Sequence, residues 1–424
     1  MVLADPRSQT RPRPLKELSA EEFGAAYDCD RFTATVLVNK FDYVIKHMVS
    51  QVQRTAFSPV VRDASDLAAT LNGPPAERFG VVAVSNTLPL FLGSMTDGVR
   101  IALEEFGLSQ LEPGDIVMCN DPFRVGTHVN DVCFIRPIFV AGELIGTVVI
   151  RAHQIDMGGL RAGGFDVTKA DVYEDGLVIP PMLLFDGGEP VRPLFAMLMA
   201  NTRFGELIFP DLHSIRAALE LGARLVGEAI DRYGLPAYLG AIRYAGDASA
   251  EAMGTALRGL PDGVYDGAQT IDGDSTSDQE YLLRVRITKR GGRAEFDFSG
   301  SSAASAVSLN ASWLDSKSAV TIALKCLIDR YSRYTSGSLR DIDIVLPPGA
   351  CNNPGPPHSC MYYHEVVIPM MYAIYAALNP VLGPAAVGAE APNFTFLPTG
   401  KAADGRAWST FSGADDDDHD EVRG

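Results

Sequence analysis

From Phe32 to about Thr55, apolar residues fall at Leu37, Phe41, Val44, Ile45, Met48 and Val52, which is the spacing of a helix with one buried face. A shorter helix is expected before it, because Ser19 and Glu22 in "LSAEEFGAAYD" stand in capping-box spacing. "FSPVVRDASDLAATLNG" then ends the long helix at Ser-Pro and leads into a strand. Asp66 falls inside that strand, where a carboxylate reads equally as a solvated edge-strand position or as a functional group. "LGSMTDGVRIALEEFG" has helical periodicity, and "LEPGDIVMCNDP" reads as a turn, a short strand and a second turn.

The apolar runs "VCFIRPIFV" and "LIGTVVIRA" are of similar length and are separated by "AGE", the pattern of an antiparallel hairpin. Pro137 implies an edge position or a bulge. Because paired strands run back along each other, the residue opening the first strand faces the residue closing the second. Counting outward from the loop places Asp131 opposite His153, with His128 nearby.

Helical stretches such as "DLHSIRAALELGARLVGEAIDRYG" occupy the middle of the chain. A second β-rich region follows, with strict alternation in "YLLRVRIT", the mark of a half-exposed sheet. The uncharged run from Val366 to Ala389 is interrupted by Pro369, Asn379, Pro380 and Pro384, so a buried helix plus loop is expected and no membrane span. The predicted fold class is mixed α+β. A metal-binding α/β region whose hairpin carries the ligands (residues 1–255) precedes a β-rich region (256–345), a helical and loop region (346–412) and an acidic, disordered tail (413–424).

Composition narrows the class. A net charge of -17 over 424 residues leaves no clustered cationic face for nucleic acid. The six cysteines show neither zinc-ribbon nor disulfide-framework spacing, and read as reduced, mostly buried thiols. The first residues lack the apolar core of a secretory signal, so a cytoplasmic protein is expected.

His128, Asp131 and His153 are the residue types that hold a divalent transition metal in a catalytic site while leaving a position open. Singly, each histidine reads more simply as a loop or strand-end residue satisfied by backbone or solvent. Jointly, with the hairpin drawing them together, they point to zinc, manganese or iron. Asp156 is a further carboxylate on the same rim or turn chemistry beside Gly158 and Gly159, and Asn120 and Asp121 read as turn formers before Pro122. Neither a phosphate-binding GxxxxGK[ST] loop nor a GxSxG nucleophile elbow is present.

With these residues laid out, the chain resembles the hydantoinase B/oxoprolinase family, which also takes in the metal-bearing subunits of acetone and acetophenone carboxylases. The resemblance runs from about Phe32 to Ala377. It rests on "RTAFSPVVRDASDLAATL", "LFLGSMTDGV", "LEPGDIVMCNDPFRVGTHVNDVCFIRPIF", "RAHQIDMGG", "DVYEDGLVIPP", "LPDGVYDGAQTIDGD", "FDFSGSS" and "IVLPPGACNNP", in that order. It implies that His128, Asp131 and His153 are metal ligands and that Asp66 is a fourth ligand or a base. It also implies a hydantoinase A-like partner in a hetero-oligomer, whose ATP activates an amide or carbonyl oxygen before the metal site completes the reaction. Three positions depart from the family pattern and bear on substrate identity. Phe91 stands where many relatives have histidine, Val125 replaces the first glycine of Gly-Gly-Thr-His, and Asp175 takes the place of glutamate. The family's glycine-rich C-terminal segment is lacking.

The expected function is therefore the metal-containing subunit of an ATP-dependent hydrolase of a cyclic amide such as a hydantoin, a lactam or 5-oxoproline. A subunit of an ATP-dependent ketone carboxylase is the alternative, and an inactive structural subunit is a third reading.

Overall fold

The computed structural model of the chain describes residues 13–274 and 276–388, together with the backbone of four short strands between 394 and 414. Of the expected acidic tail, Gly413 and Ala414 lie in the strand Ser412–Ala414, and residues 415–424 lie outside the described residues.

The long amphipathic helix spans Arg31–Thr55, with Asp30 capping it by accepting from Thr33 N–H. Ser19 and Glu22 close a capping box on Ala20–Tyr27. The first sheet has seven strands: β1 (Leu67–Asn72), β2 (Val81–Val84), β3 (Ile116–Cys119), β4 (Asp131–Val140), β5 (Glu143–His153), β6 (Met182–Asp186) and β7 (Glu189–Pro190). Their order across the sheet is β2-β1-β5-β4-β3-β6-β7, antiparallel throughout.

Both faces of this sheet are covered, which is why β4 and β5 read as nearly continuous apolar runs rather than alternating ones. Leu67, Ala69, Val132, Phe134, Val148 and Ile150 face the helices Arg31–Thr55 and Gly205–Tyr233. The intervening residues, Ala68, Cys133, Ile135 and Val149, join the core that holds the helix Ser94–Phe106. Pro137 is accommodated because the β3 ladder stops at Val117↔Ile135, and the β5 ladder shifts register between Ile138 and Phe139.

A second sheet holds β8 (Gly263–Ile271), β9 (Tyr281–Arg290), β10 (Arg293–Asp297) and β11 (Ile342–Val345), in the order β11-β10-β9-β8. Tyr281, Leu283, Val285 and Ile287 of β9 point inward against the helices Trp313–Leu327 and His364–Leu382, while Leu282, Arg284 and Arg286 remain outside. By length and composition His364–Ala385 could cross a bilayer. Its buried side, Val366, Val367, Met370, Ala373 and Ile374, instead fills the second core, and the helix continues through Pro369 and Pro380.

One local expectation is corrected. Asp66 is not inside a strand, and β1 is not an edge, since it lies between β2 and β5. Ser58 and Pro59 start a one-turn helix, Pro59–Arg62, as proline at a first helical position favours. The chain then passes through Ser65 at φ 57 before the ladder begins at Leu67, leaving Asp66 at the mouth of the strand.

Candidate metal centre

The β4–β5 hairpin turns at Ala141–Gly142, both at positive φ. The expected three-residue loop is shortened to two because Glu143 already pairs with Val140, and the bulge between Ile138 and Phe139 shifts the register by one beyond it. Asp131, the first residue of β4, pairs directly with His153, the last of β5. Alternation puts Cys133 and Arg151 on the same face, one pair further in. His128 reaches this end from the preceding loop, where its carbonyl accepts from Asp131 N–H at 3.0 Å. Asp66 is the residue just before β1, and its carbonyl accepts from His153 N–H at 3.0 Å.

The side chains converge. His153 Nδ1 is 3.0 Å from Asp131 Oδ1 and 3.8 Å from Asp66 Oδ2, and His128 Nε2 is 3.1 Å from Asp131 Oδ2. One ligand atom from each of His128, Asp131 and His153 fits within a 4.8 Å set. All three residues are buried, at 3%, 1% and 2% exposure, which rules out a chance cluster of solvated surface groups.

The donor set fits a divalent metal. Despite its closeness to His128, Asp131 Oδ2 accepts no hydrogen bond of proper geometry, and Asp66 Oδ1 is likewise buried without a partner. Buried carboxylate oxygens without partners are costly, and a cation would satisfy them. Two imidazole nitrogens and one or two carboxylates are also the ligand types suited to zinc, manganese or iron.

Charge is shared unevenly. Burial opposes ionisation of Asp131, but the adjacent imidazoles of His128 and His153 outweigh it and hold the carboxyl well below the usual range. Burial pushes His128 down against the pull of Asp131. For His153 burial acts in the same sense, but the hydrogen bond to Asp131 and the charges of Asp66 and Asp131 win and raise it. Burial raises Asp66 to about 7, with His153 pulling it down and Asp131 pushing it up.

Aromatic rings enclose the histidines. Tyr363 stacks on His128 with centroids 5.6 Å apart, and Phe165 lies 5.5 Å from His128 and nearly parallel to His153 at 6.0 Å. Tyr363 and Met361, whose Sδ is 3.1 Å from His128 Nδ1, come from the distant segment before the helix His364–Leu382. Nothing in the local sequence pattern pointed to either.

The remaining candidates hold the site's frame. Asp156 does not join the ligand set. It is buried and binds Arg203 Nη1 at 2.9 Å and Arg203 N–H at 2.6 Å, tying the glycine-rich loop to the start of the next helix. Asp121 accepts from Phe123 N–H as a turn former should, whereas Asn120 does more, donating to Val129 and Leu177 carbonyls and accepting from Ile179 N–H. Phe91 is buried beneath the Arg151 guanidinium, 5.4 Å from the ring centroid, and the Val125 carbonyl accepts from the same guanidinium. Asp175 is buried and bonded to Ser359 Oγ.

Residues 30–414 match the hydantoinase B/oxoprolinase family. The chain belongs to that family. Among its relatives is the caprolactamase subunit beta of Pseudomonas jessenii, 27% identical over 265 residues that cover 62% of this chain and 45% of the relative. The crystal structure of the ATP-dependent caprolactamase from that organism superposes with a TM-score of 0.81 at 24% identity, covering 90% of this chain and 66% of that one. The 5-oxoprolinase of Saccharomyces cerevisiae is 27% identical over 345 residues, covering 78% of this chain and 26% of the enzyme. A nucleotide-free acetone carboxylase structure shares the fold with a TM-score of 0.82 at 18% identity, covering 92% of this chain and 54% of that one. The chain thus spans between about a quarter and two thirds of the length of these family members.

Proposed function

We propose that this chain is the metal-containing subunit of an ATP-dependent hydrolase of cyclic amides of the hydantoin, lactam or 5-oxoproline type. His128, Asp131 and His153 hold the metal, and Asp66 is a fourth ligand or the base. The observation that carries this reading is the buried His-Asp-His set with its unpartnered carboxylate oxygens. A divalent metal in this position would polarise a carbonyl and make water more acidic.

The chain's own groups account for the rest. As the base, Asp66 would accept the proton of that water, and burial of its carboxyl favours the protonated form. Phe165 and Tyr363 limit the water around the histidine rings, which strengthens the charge interactions within. The sequence carries no phosphate-binding loop, and the caprolactamase relative is named as a beta subunit. Both support an activating partner, a hydantoinase A-like ATPase, in a hetero-oligomer. Dependence on ATP also fits a cytoplasmic setting.

The test is elemental analysis of the purified protein beside His128→Ala and His153→Ala, followed by assay with the co-expressed ATPase subunit. The expected result is one metal per chain, lost in both variants while the fold persists, with ATP-dependent and bicarbonate-independent ring opening. Bicarbonate-dependent consumption of a ketone would instead assign the chain to the carboxylases, whose fold it shares. A wild-type protein that takes up no metal even with its partner would leave only a structural subunit.

A further inference from the structure

We propose that Met361 is the positioning residue for His128: its thioether accepts from Nδ1–H and so holds the ring with Nε2 turned toward the metal position. The proposal rests on the assignment of His128 as a metal ligand. His128 turns Nε2 toward Asp131, so Nδ1 is its outward nitrogen. A metal-bound histidine nearly always donates that second N–H to a carboxylate, a backbone carbonyl or water, which fixes the tautomer and the ring orientation. In this protein the atom in that place is Met361 Sδ, at 3.1 Å. Sulfur is a weak acceptor, but it is an acceptor only. An imidazole that ligates through Nε2 carries its proton on Nδ1, and here it would donate that proton to this sulfur.

A methionine side chain is flexible, so it can orient a neighbour only if it is itself held. Met361 is fully buried. A Cβ at Gly164, where φ is +85°, would stand 3.0 Å from Met361 Cε and 2.9 Å from Asn130 Oδ1, so the loop backbone lies directly against the thioether methyl. Met361 N–H donates to Ser359 Oγ at 3.3 Å, and that hydroxyl lies 2.7 and 2.8 Å from the two carboxylate oxygens of Asp175. The buried Lys169 ammonium is 3.8 Å from Asp175 and donates to the Gly164 carbonyl, closing a circuit back to the residue that clamps the methyl. Two backbone bonds, Val172 N–H to Pro357 O at 2.7 Å and Ser359 N–H to Ala170 O at 3.3 Å, dock the two segments on each other. Lys169 and Asp175 thus have a use that burying them for the sake of the core does not supply.

Packing alone would also place a methionine beside a histidine, and two substitutions separate the possibilities. Met361→Leu keeps volume and removes the acceptor, whereas Met361→Gln keeps a side chain of similar length and supplies an amide oxygen. Zinc affinity would be measured on the full-length protein by competition with a chromophoric chelator, with thermal melting of the metal-free proteins to show that each variant folds. The expected result is zinc affinity reduced on the order of tenfold or more in Met361→Leu, and close to wild type in Met361→Gln. Affinity kept by leucine, or lost equally by leucine and glutamine, would make Met361 a packing residue and overturn the proposal. A wild-type protein with no zinc affinity would overturn the metal reading and the positioning role of Met361 along with it, a result distinct from failure of the leucine variant alone.

Discussion

Replacing Asp315 by asparagine should flatten the acid side of the stability curve. Asp315 is fully buried at the start of the helix Trp313–Leu327. One oxygen accepts from Thr127 N–H at 2.7 Å, immediately before His128, and the other from Ser312 N–H and Oγ at 3.0 and 2.7 Å. Burial raises its pKa to about 6, against the opposing pull of Ser312, Thr127 N–H and the Arg151 charge. In the unfolded chain the value returns to about 3.8. Between these limits the folded protein binds more protons than the unfolded chain, so this carboxyl's contribution falls as pH rises through the window and levels off above about 6. At about 1.4 kcal/mol per pH unit the whole effect is about 3 kcal/mol, with roughly 2 kcal/mol of it between pH 4 and pH 7. Asparagine keeps an oxygen for Thr127 N–H but does not titrate. Urea unfolding of both proteins across that range, taken as a difference, cancels the other titrating groups and any constant cost of the amide. The asparagine variant should gain about 2 kcal/mol relative to the wild type on going from pH 4 to pH 7. Parallel curves would show that Asp315 ionises as freely in the fold as in the unfolded chain, and the argument from burial would fail.

Two further outcomes follow from close packing. In Gly267→Ala the new Cβ would stand 2.0 Å from the Ala373 carbonyl oxygen, so β8 and the helix His364–Leu382 must separate. A loss of about 1–3 kcal/mol in urea unfolding is expected, with no change in metal content because this contact lies in the second core. Native-state alkylation at about pH 7.5, followed by mass spectrometry, should modify Cys29 and Cys326 first. These two are partly exposed, whereas Cys119, Cys133, Cys351 and Cys360 are buried, and burial pushes the Cys133 thiol up to about 11 and Cys351 up to about 12.

The parts of the site readable in sequence are those that local geometry fixes. Counting outward from a three-residue loop, AGE, brought Asp131 opposite His153; the turn is in fact two residues, and the one-residue bulge between Ile138 and Phe139 restores the same register beyond it. The long helix was visible because its apolar face repeats along its whole length, and β9 because one of its faces meets solvent. Asp66 was misplaced for an equally local reason: proline after serine ends one helix but can also begin another, and the one-turn helix Pro59–Arg62 delays the strand. Asp66 consequently stands one residue before the β1 ladder begins, beside His153.

What sequence order hides is the far side of the pocket. Met361 meets His128 across 233 residues, and no period or spacing encodes such a contact. It exists because the segment before the helix His364–Leu382 is held from two directions. Hydrogen bonds to residues 170–172 fix its beginning, and burial of Tyr363 and Val366 in the second core fixes its end. Asp315 makes the same connection on the other flank, joining a helix of the second core to the loop that presents His128. The hairpin supplies the carboxylate and one imidazole, but the orientation of the other imidazole depends on how the two cores are docked. A change that loosened this docking, without touching any of the four candidate metal-site residues, would therefore weaken the centre through His128 before it affected His153, whose ring is anchored within the sheet by Asp131 and Asp66.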